Sequence, residues 1–374
     1  MSQMEYNPSE EIGLRNETQL FMSCSGVLTS NDSVRDLCKY VIRNGDQFHD
    51  VVSRYFDITT NALGRDDEKY GTAVKMMIPF LKAFGLTDFA AYSEAKKNLT
   101  LIPYADSCLM YLNSLMPTFI NTGILEHQAM ALCDITGFPS SNISCTKVEF
   151  DSEDSDRQEC RALRDFANSI STLRVPKTKY TFEEGEILSD EDATIVNRLD
   201  EIFLDEIPKM KIYEDFRDVL SIGTREKSYS ALEIRRNTSI EFDSTAYIGS
   251  SMTDHIAMDL VRDSSGLAIS FNGCEYAVRN CNVAVMCNDA IVNTVLVTEF
   301  YDKGIESVFE MIDNWDRKGL EEHPCADRNL MNEMLRRFPK KLPNVKRVDR
   351  HNVDDIVAES EAYRKKVEEC NRRY

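Results

Sequence analysis

Apolar positions fall along this chain in two rhythms. Short runs without alternation recur within residues 18–22, 117–121, 143–150, 244–249, 266–271 and 282–287. A strand with one wet face alternates, whereas a strand covered on both faces is apolar throughout, so these runs read as buried parallel strands. Between most of them the period lengthens to that of a helix. Val34, Leu37, Cys38 and Val41 make one stripe, opened by the cap residues Asn31-Asp32-Ser33. Val51-Val52, Tyr55-Phe56, Met76-Met77 and Phe80-Leu81 continue helical spacing, broken at Gly64, Gly71 and Gly85. Leu125, Met130 and Leu132 form the next stripe; Leu163, Phe166 and Ile170, then Ile195, Leu199 and Ile202, form two more.

Strands alternating with helices predict an α/β core with a parallel sheet, whose ligand site lies at the carboxyl ends of the strands. The organisation expected is an N-terminal arm (1–17), a core (18–33 and 112–315) and a helical cap inserted after the first strand (34–111). Residues 151–220 are acidic and helical, either a second inserted subdomain or helices packed on the core, with Glu183-Glu184-Gly185-Glu186 as the loop between them. Residues 316–374 form a basic linker, punctuated by Pro339 and Pro343, and a last helix. That helix has Val353, Ile356, Tyr363, Val367 and Cys370 on one stripe, and docks on the body or on a second subunit.

Charge sharpens this picture. The chain of 374 residues has a net charge of −19, which argues against generic binding to nucleic acid or anionic membrane. Residues 316–374 carry 15 Lys and Arg against 12 Asp and Glu, so the tail is +3 and the first 315 residues are −22. No apolar run approaches a membrane span, and the polar start is not that of a signal peptide. The 11 cysteines are scattered with no C-x-x-C pair, and several sit inside apolar runs, so a reducing, cytoplasmic compartment is expected.

The chemistry-bearing residues lie in the loops after the strands. Ser23-Cys24-Ser25-Gly26-Val27-Leu28-Thr29 follows the first, and Thr122-Gly123 the second. Gly223-Thr224-Arg225-Glu226-Lys227-Ser228 opens a helix. Gly249-Ser250-Ser251-Met252-Thr253-Asp254 follows the next strand, and a further strand ends at Asn272-Gly273.

In this order the loops resemble the haloacid dehalogenase-like (HAD-like) superfamily, and most of all its phosphoserine-phosphatase-type members and a related group of predicted archaeal phosphatases. The resemblance covers about residues 17–33 and 112–315. It implies a Rossmannoid core with a helical cap after the first strand. It also implies that positions 23 and 25 are those of a nucleophilic aspartate and an acid/base aspartate, that Thr122 and Lys227 bind the transferring phosphoryl group, and that positions 250 and 254 hold Mg²⁺. It further implies that the turn at Asn272 closes the site.

This chain departs from that pattern where chemistry is done. Ser23, Ser25 and Ser250 stand in place of carboxylates, and Asp254 alone remains. Mg²⁺ requires hard oxygen ligands, usually with one or two carboxylates, so no cofactor is expected unless the chain is a working hydrolase. A serine nucleophile needs an adjacent base. His127, His255 and a Cys24 nucleophile are the rescue routes, each with a packing role as the plainer reading. With the acids gone, Ser23, Ser25, Thr122, Lys227 and Asn272 are expected to favour phosphate or a phosphorylated small molecule that stays intact. The functional reading is a non-catalytic, phosphatase-like binding or regulatory protein, with a protein partner reached through the last helix as the other occupant. An active phosphomonoester hydrolase with variant motifs and a structural subunit of a larger assembly are the alternatives.

Overall fold

In the computed structural model, which describes residues 17–65, 72–151, 156–178, 188–322 and 324–371, seven strands form one sheet ordered β3-β2-β1-β4-β5-β6-β7. They are β1 (Gln19–Met22), β2 (Thr118–Leu125), β3 (Ile143–Thr146), β4 (Thr245–Gly249), β5 (Leu267–Phe271), β6 (Val283–Met286) and β7 (Asn344–Arg347). The pairs through β6 are parallel, and β7 adds to β6 antiparallel. The first two strands to form a pair with β1 lie on opposite sides of it, so the strand order reverses there. That reversal is the position where open α/β sheets leave a crevice at their carboxyl ends. The expected Glu183 to Glu186 loop and nearly all of the arm lie outside the described residues.

Both faces of the sheet are covered, as the unalternating runs require. Leu20, Met22, Ile120, Ile248, Ile269 and Val285 enter one core with the helices Ala105–Leu115, Glu126–Thr136 and Ile291–Lys303. Phe21, Tyr247, Ala268 and Ala284 enter a second core with the helices Thr224–Thr238, His255–Asp263 and Val353–Asn371. Successive residues of a strand point to opposite faces, so each strand divides its apolar side chains between the two cores.

A third core unites segments far apart in sequence. Val34, Phe48, Tyr55, Met77 and Phe80 from the first helical insertion pack with Leu163, Ile170, Leu199 and Phe203 from the acidic one. Phe203 stacks on Tyr55 at 5.5 Å, and the Tyr55 hydroxyl donates to Asp200 at 2.6 Å. The acidic helices therefore share a core with the helices Ser33–Val41, Gly45–Asp57 and Thr72–Ala83. The helix Ala105–Leu115, most of which falls within the expected cap span 34–111, buries Cys108, Leu109 and Leu112 in the core that holds Leu20, Met22 and Ile120. Periodicity reports which face of a helix is buried and not what covers it.

The basic linker holds a strand. β7 buries only Val345 and leaves Asn344 and Arg347 exposed, a composition suited to a sheet edge.

Candidate functional site

The loop after β1 is shaped by local hydrogen bonds. The Cys24 carbonyl accepts from the amides of Val27, Leu28 and Thr29, and the Gly26 amide donates to the Thr29 carbonyl at 2.8 Å. Gly26 is at φ +79°, and a Cβ there would lie 2.4 Å from Ser250 Oγ. Glycine thus allows both the left-handed turn and the close approach of the loop after β4. The Ser250 hydroxyl donates to the Ser25 carbonyl at 3.1 Å, tying the two loops together.

Ser23 keeps the face of Phe21, while Cys24 turns into the opposite core. The Ser23 amide still donates to the Ile248 carbonyl at 2.9 Å, so the ladder to β4 runs one residue past the strand. On this face Phe119, Phe21 and Tyr247 form an aromatic row across β2, β1 and β4, with centroids 5.6 and 6.1 Å apart. The row carries the Tyr247 hydroxyl to the carboxyl end of the sheet.

Lys227 enters from the first turn of the helix Thr224–Thr238. Asn121 Nδ2 donates to the Lys227 carbonyl at 2.7 Å and fixes that turn against β2. Asp254 enters from the turn after β4, where Gly249 lacks a Cβ that would lie 2.7 Å from the Asp254 Cβ.

These elements converge on one carboxylate. Asp254 Oδ1 accepts from Ser23 Oγ at 2.6 Å, Lys227 Nζ at 2.7 Å and the Tyr247 hydroxyl at 3.0 Å. Asp254 Oδ2 accepts from the Ser250 amide at 3.0 Å, the Ser251 amide at 2.9 Å and Ser251 Oγ at 2.9 Å. Lys227 Nζ also donates to Ser23 Oγ at 2.8 Å, closing a triangle. Ser23 and Lys227 are 2 % exposed and Asp254 is 0 % exposed. Burial pushes the Asp254 carboxyl up, yet the Lys227 ammonium and the hydrogen bonds from Ser23 and Ser251 hold it down at about 2. Burial, with the Asp254 charge beside it, drives the Tyr247 hydroxyl far above its ordinary range, so it remains a donor.

The other expected residues have different partners. The Thr122 hydroxyl accepts from the Ile124 amide at 3.4 Å and is buried. Asn272, at φ +49°, donates to the Cys287 carbonyl at 2.6 Å and accepts from the Cys287 amide at 2.9 Å, pinning the end of β5 to that of β6. Its amide is used in the fold on both sides. His127 meets Asp88 at 2.9 Å, and His255 meets the Met252 carbonyl at 2.7 Å. Burial pushes the Cys24 thiol up to about 12, which denies it thiolate character.

The residues do not fit a bound Mg²⁺. The nearby hydroxyls are neutral, and both oxygens of Asp254 are occupied by protein donors, among them a lysine ammonium that a cation would have to displace. Among the described residues no group of three or more His, Cys, Asp or Glu forms a metal cluster.

Two cavities of about 480 and 550 Å³ open elsewhere, one beside Tyr111, Thr298 and Asp327, the other beside Phe119, Ile143 and Ile234. Neither is lined by Ser23, Lys227 or Asp254. No described helix is long and apolar enough to cross a membrane.

Tyr247 and Ser251 escaped the sequence reading. The signal for Tyr247 was a polar tip inside an apolar strand, since a buried tyrosine hydroxyl needs a partner.

No protein-family model matches the chain, and no curated protein matches it. Among solved structures, a gene product of Archaeoglobus fulgidus superposes with a TM-score of 0.75 at 18% identity, covering 94% of this chain and 97% of that one. The two share a fold. A phosphoserine phosphatase in its phospho-aspartyl intermediate analogue form reaches a TM-score of 0.45 at 9% identity, over 76% of this chain and 99% of that one. A HAD-family hydrolase from Salmonella enterica serovar Typhi reaches 0.40 at 11% identity, over 69% and 63%.

Proposed function

We propose that this chain is a HAD-like protein that does not hydrolyse phosphoesters and acts by binding. One observation carries the reading: the lysine and the surviving carboxylate of the site are 2.7 Å apart and spend their charges on each other. Phosphoryl transfer needs a nucleophile, a proton donor and charge to offset the phosphoryl oxygens. The base that the Ser23 hydroxyl meets is the Asp254 carboxylate, which Lys227 holds below the ordinary carboxylate range. A carboxylate so acidic is a poor proton acceptor near neutral pH.

The same pairing weighs against a phosphorylated ligand in this cleft. Phosphate bound here would have to draw Lys227 from Asp254 and leave a buried carboxylate uncompensated. The binding role therefore belongs to the protein surface, and a protein partner is the occupant this reading favours.

The test is turnover of a broad panel of phosphomonoesters with Mg²⁺, beside Ser23→Ala. Neither protein should release phosphate above the blank. Mg²⁺-dependent release by the wild type that vanishes in Ser23→Ala would replace this reading with a working hydrolase.

A further inference from the structure

The terminal helix Val353–Asn371 starts near the amino end of β6, where Asp354 pairs with Arg279, and further along it reaches the loops after β5 and β4 through Ser360 and Arg364. Among the helix's described side chains one apolar residue, Ile356, is fully buried, with Val353, Val357 and Tyr363 packed near it. The other contacts described are polar. Ser360 Oγ donates to the Gly273 carbonyl at 2.7 Å, and a Glu361 carboxylate oxygen accepts from the Glu275 amide at 2.9 Å. Glu359 pairs with Lys346 at 2.7 Å, and Asp354 with Arg279 at 2.8 Å, both at the surface.

One contact reaches further. Arg364 Nη1 donates to the Ser250 carbonyl at 2.8 Å, which also accepts from the Cys274 amide at 3.0 Å. That carbonyl belongs to the same peptide group as the Ser251 amide, which donates to Asp254 Oδ2 at 2.9 Å. A guanidinium thus sits at the negative pole of one peptide dipole and a carboxylate at its positive pole. Each charge favours the orientation that serves the other, so the two contacts strengthen together. The line continues through Asp254 to Lys227.

We propose that the terminal helix is a releasable strap that keeps the Lys227–Asp254 cluster shut through Arg364 and the Ser250–Ser251 peptide. Among its described side chains the strap buries Ile356 and Ser360, and its remaining contacts are largely polar and surface ionic ones, which salt screens. Its release costs less than global unfolding and frees the loop after β4 first. The inference rests on the closed-cluster reading only for where the site lies. Phosphoester turnover does not enter its test, so the two can fail separately.

The test is hydrogen exchange on the full-length protein, comparing the wild type with Arg364→Ala and Arg364→Lys. Arg364→Ala should speed exchange of the Ser250 and Ser251 amides by about tenfold or more, as expected for one lost charge-assisted hydrogen bond. The β1 amides should keep their wild-type rates. Arg364→Lys, which retains the charge, should restore part of the protection. Unchanged protection at Ser250 and Ser251 in Arg364→Ala would overturn the proposal. So would an equal acceleration in β1, which would mark general destabilisation instead of a local strap.

Discussion

Ser23 donates its hydroxyl proton to Asp254 at 2.6 Å across the junction of β1 and β4. The hydroxyl accepts from Lys227 in turn, so one serine bridges a buried ion pair. An aspartate at position 23 would place a second carboxylate against Asp254, with the single Lys227 ammonium to offset two charges. With serine there, one carboxylate faces one ammonium and the hydroxyl donates to the first and accepts from the second.

Breaking this pair from one side should be costly. Lys227→Met leaves an unpaired buried carboxylate and should lower the unfolding free energy by about 3–5 kcal/mol. Adding Asp254→Asn should recover about 1–3 kcal/mol of that loss. Urea denaturation of the two single variants and the double variant measures the coupling, and purely additive losses would deny it.

The pair also sets an acid limit. The Asp254 carboxyl is held at about 2 in the fold against an ordinary 3.8. A depressed folded value gives stability that is fully present above 3.8 and lost as pH falls through about 2. Urea midpoints followed from about pH 5 to 2 should fall less steeply in Asp254→Asn, by about one proton's worth of slope. Equal slopes would show that Asp254 is not held down.

Much of this was legible in the chain. The runs at Leu20, Ile248, Ile269 and Val285 identify strands covered on both faces, and the order of the loops brings Ser23, Lys227 and Asp254 together. Three things were not legible, for physical reasons. β7 buries only Val345, too little to make a pattern. The cap stripes and the acidic stripes reveal apolar faces, while their shared core depends on tertiary pairing. Ser23, read as an anion ligand, is a bridge because Asp254 and Lys227 both reach it, and no spacing along a chain encodes how far a carboxylate is already satisfied. The contact of Arg364 with Ser250 spans 114 residues and has no local signature.

Gly26 should tolerate no side chain. Gly26→Ala combines a left-handed φ with a Cβ 2.4 Å from Ser250 Oγ, whereas Gly85, at φ +84°, faces open space. Gly85→Ala should cost about 1 kcal/mol and Gly26→Ala about 2–3 kcal/mol. Equal thermal shifts for the two variants would mean that the loops after β1 and β4 are not packed as described.

Cys24 should be silent in the folded protein. Burial raises its thiol to about 12, so at about pH 8 almost no thiolate is present. Iodoacetamide followed by mass spectrometry should leave Cys24 unmodified in the native protein and alkylate it in urea. Rapid native labelling would restore it as a candidate nucleophile.

The most direct measurement is calorimetric titration of Mg²⁺ into the wild type and Asp254→Asn. The two proteins should give the same featureless dilution heats, because the Asp254 oxygens are already taken by Ser23, Lys227, Tyr247 and the Ser250 and Ser251 donors. A saturable site in the wild type that disappears in Asp254→Asn would contradict this and return the cluster to metal chemistry.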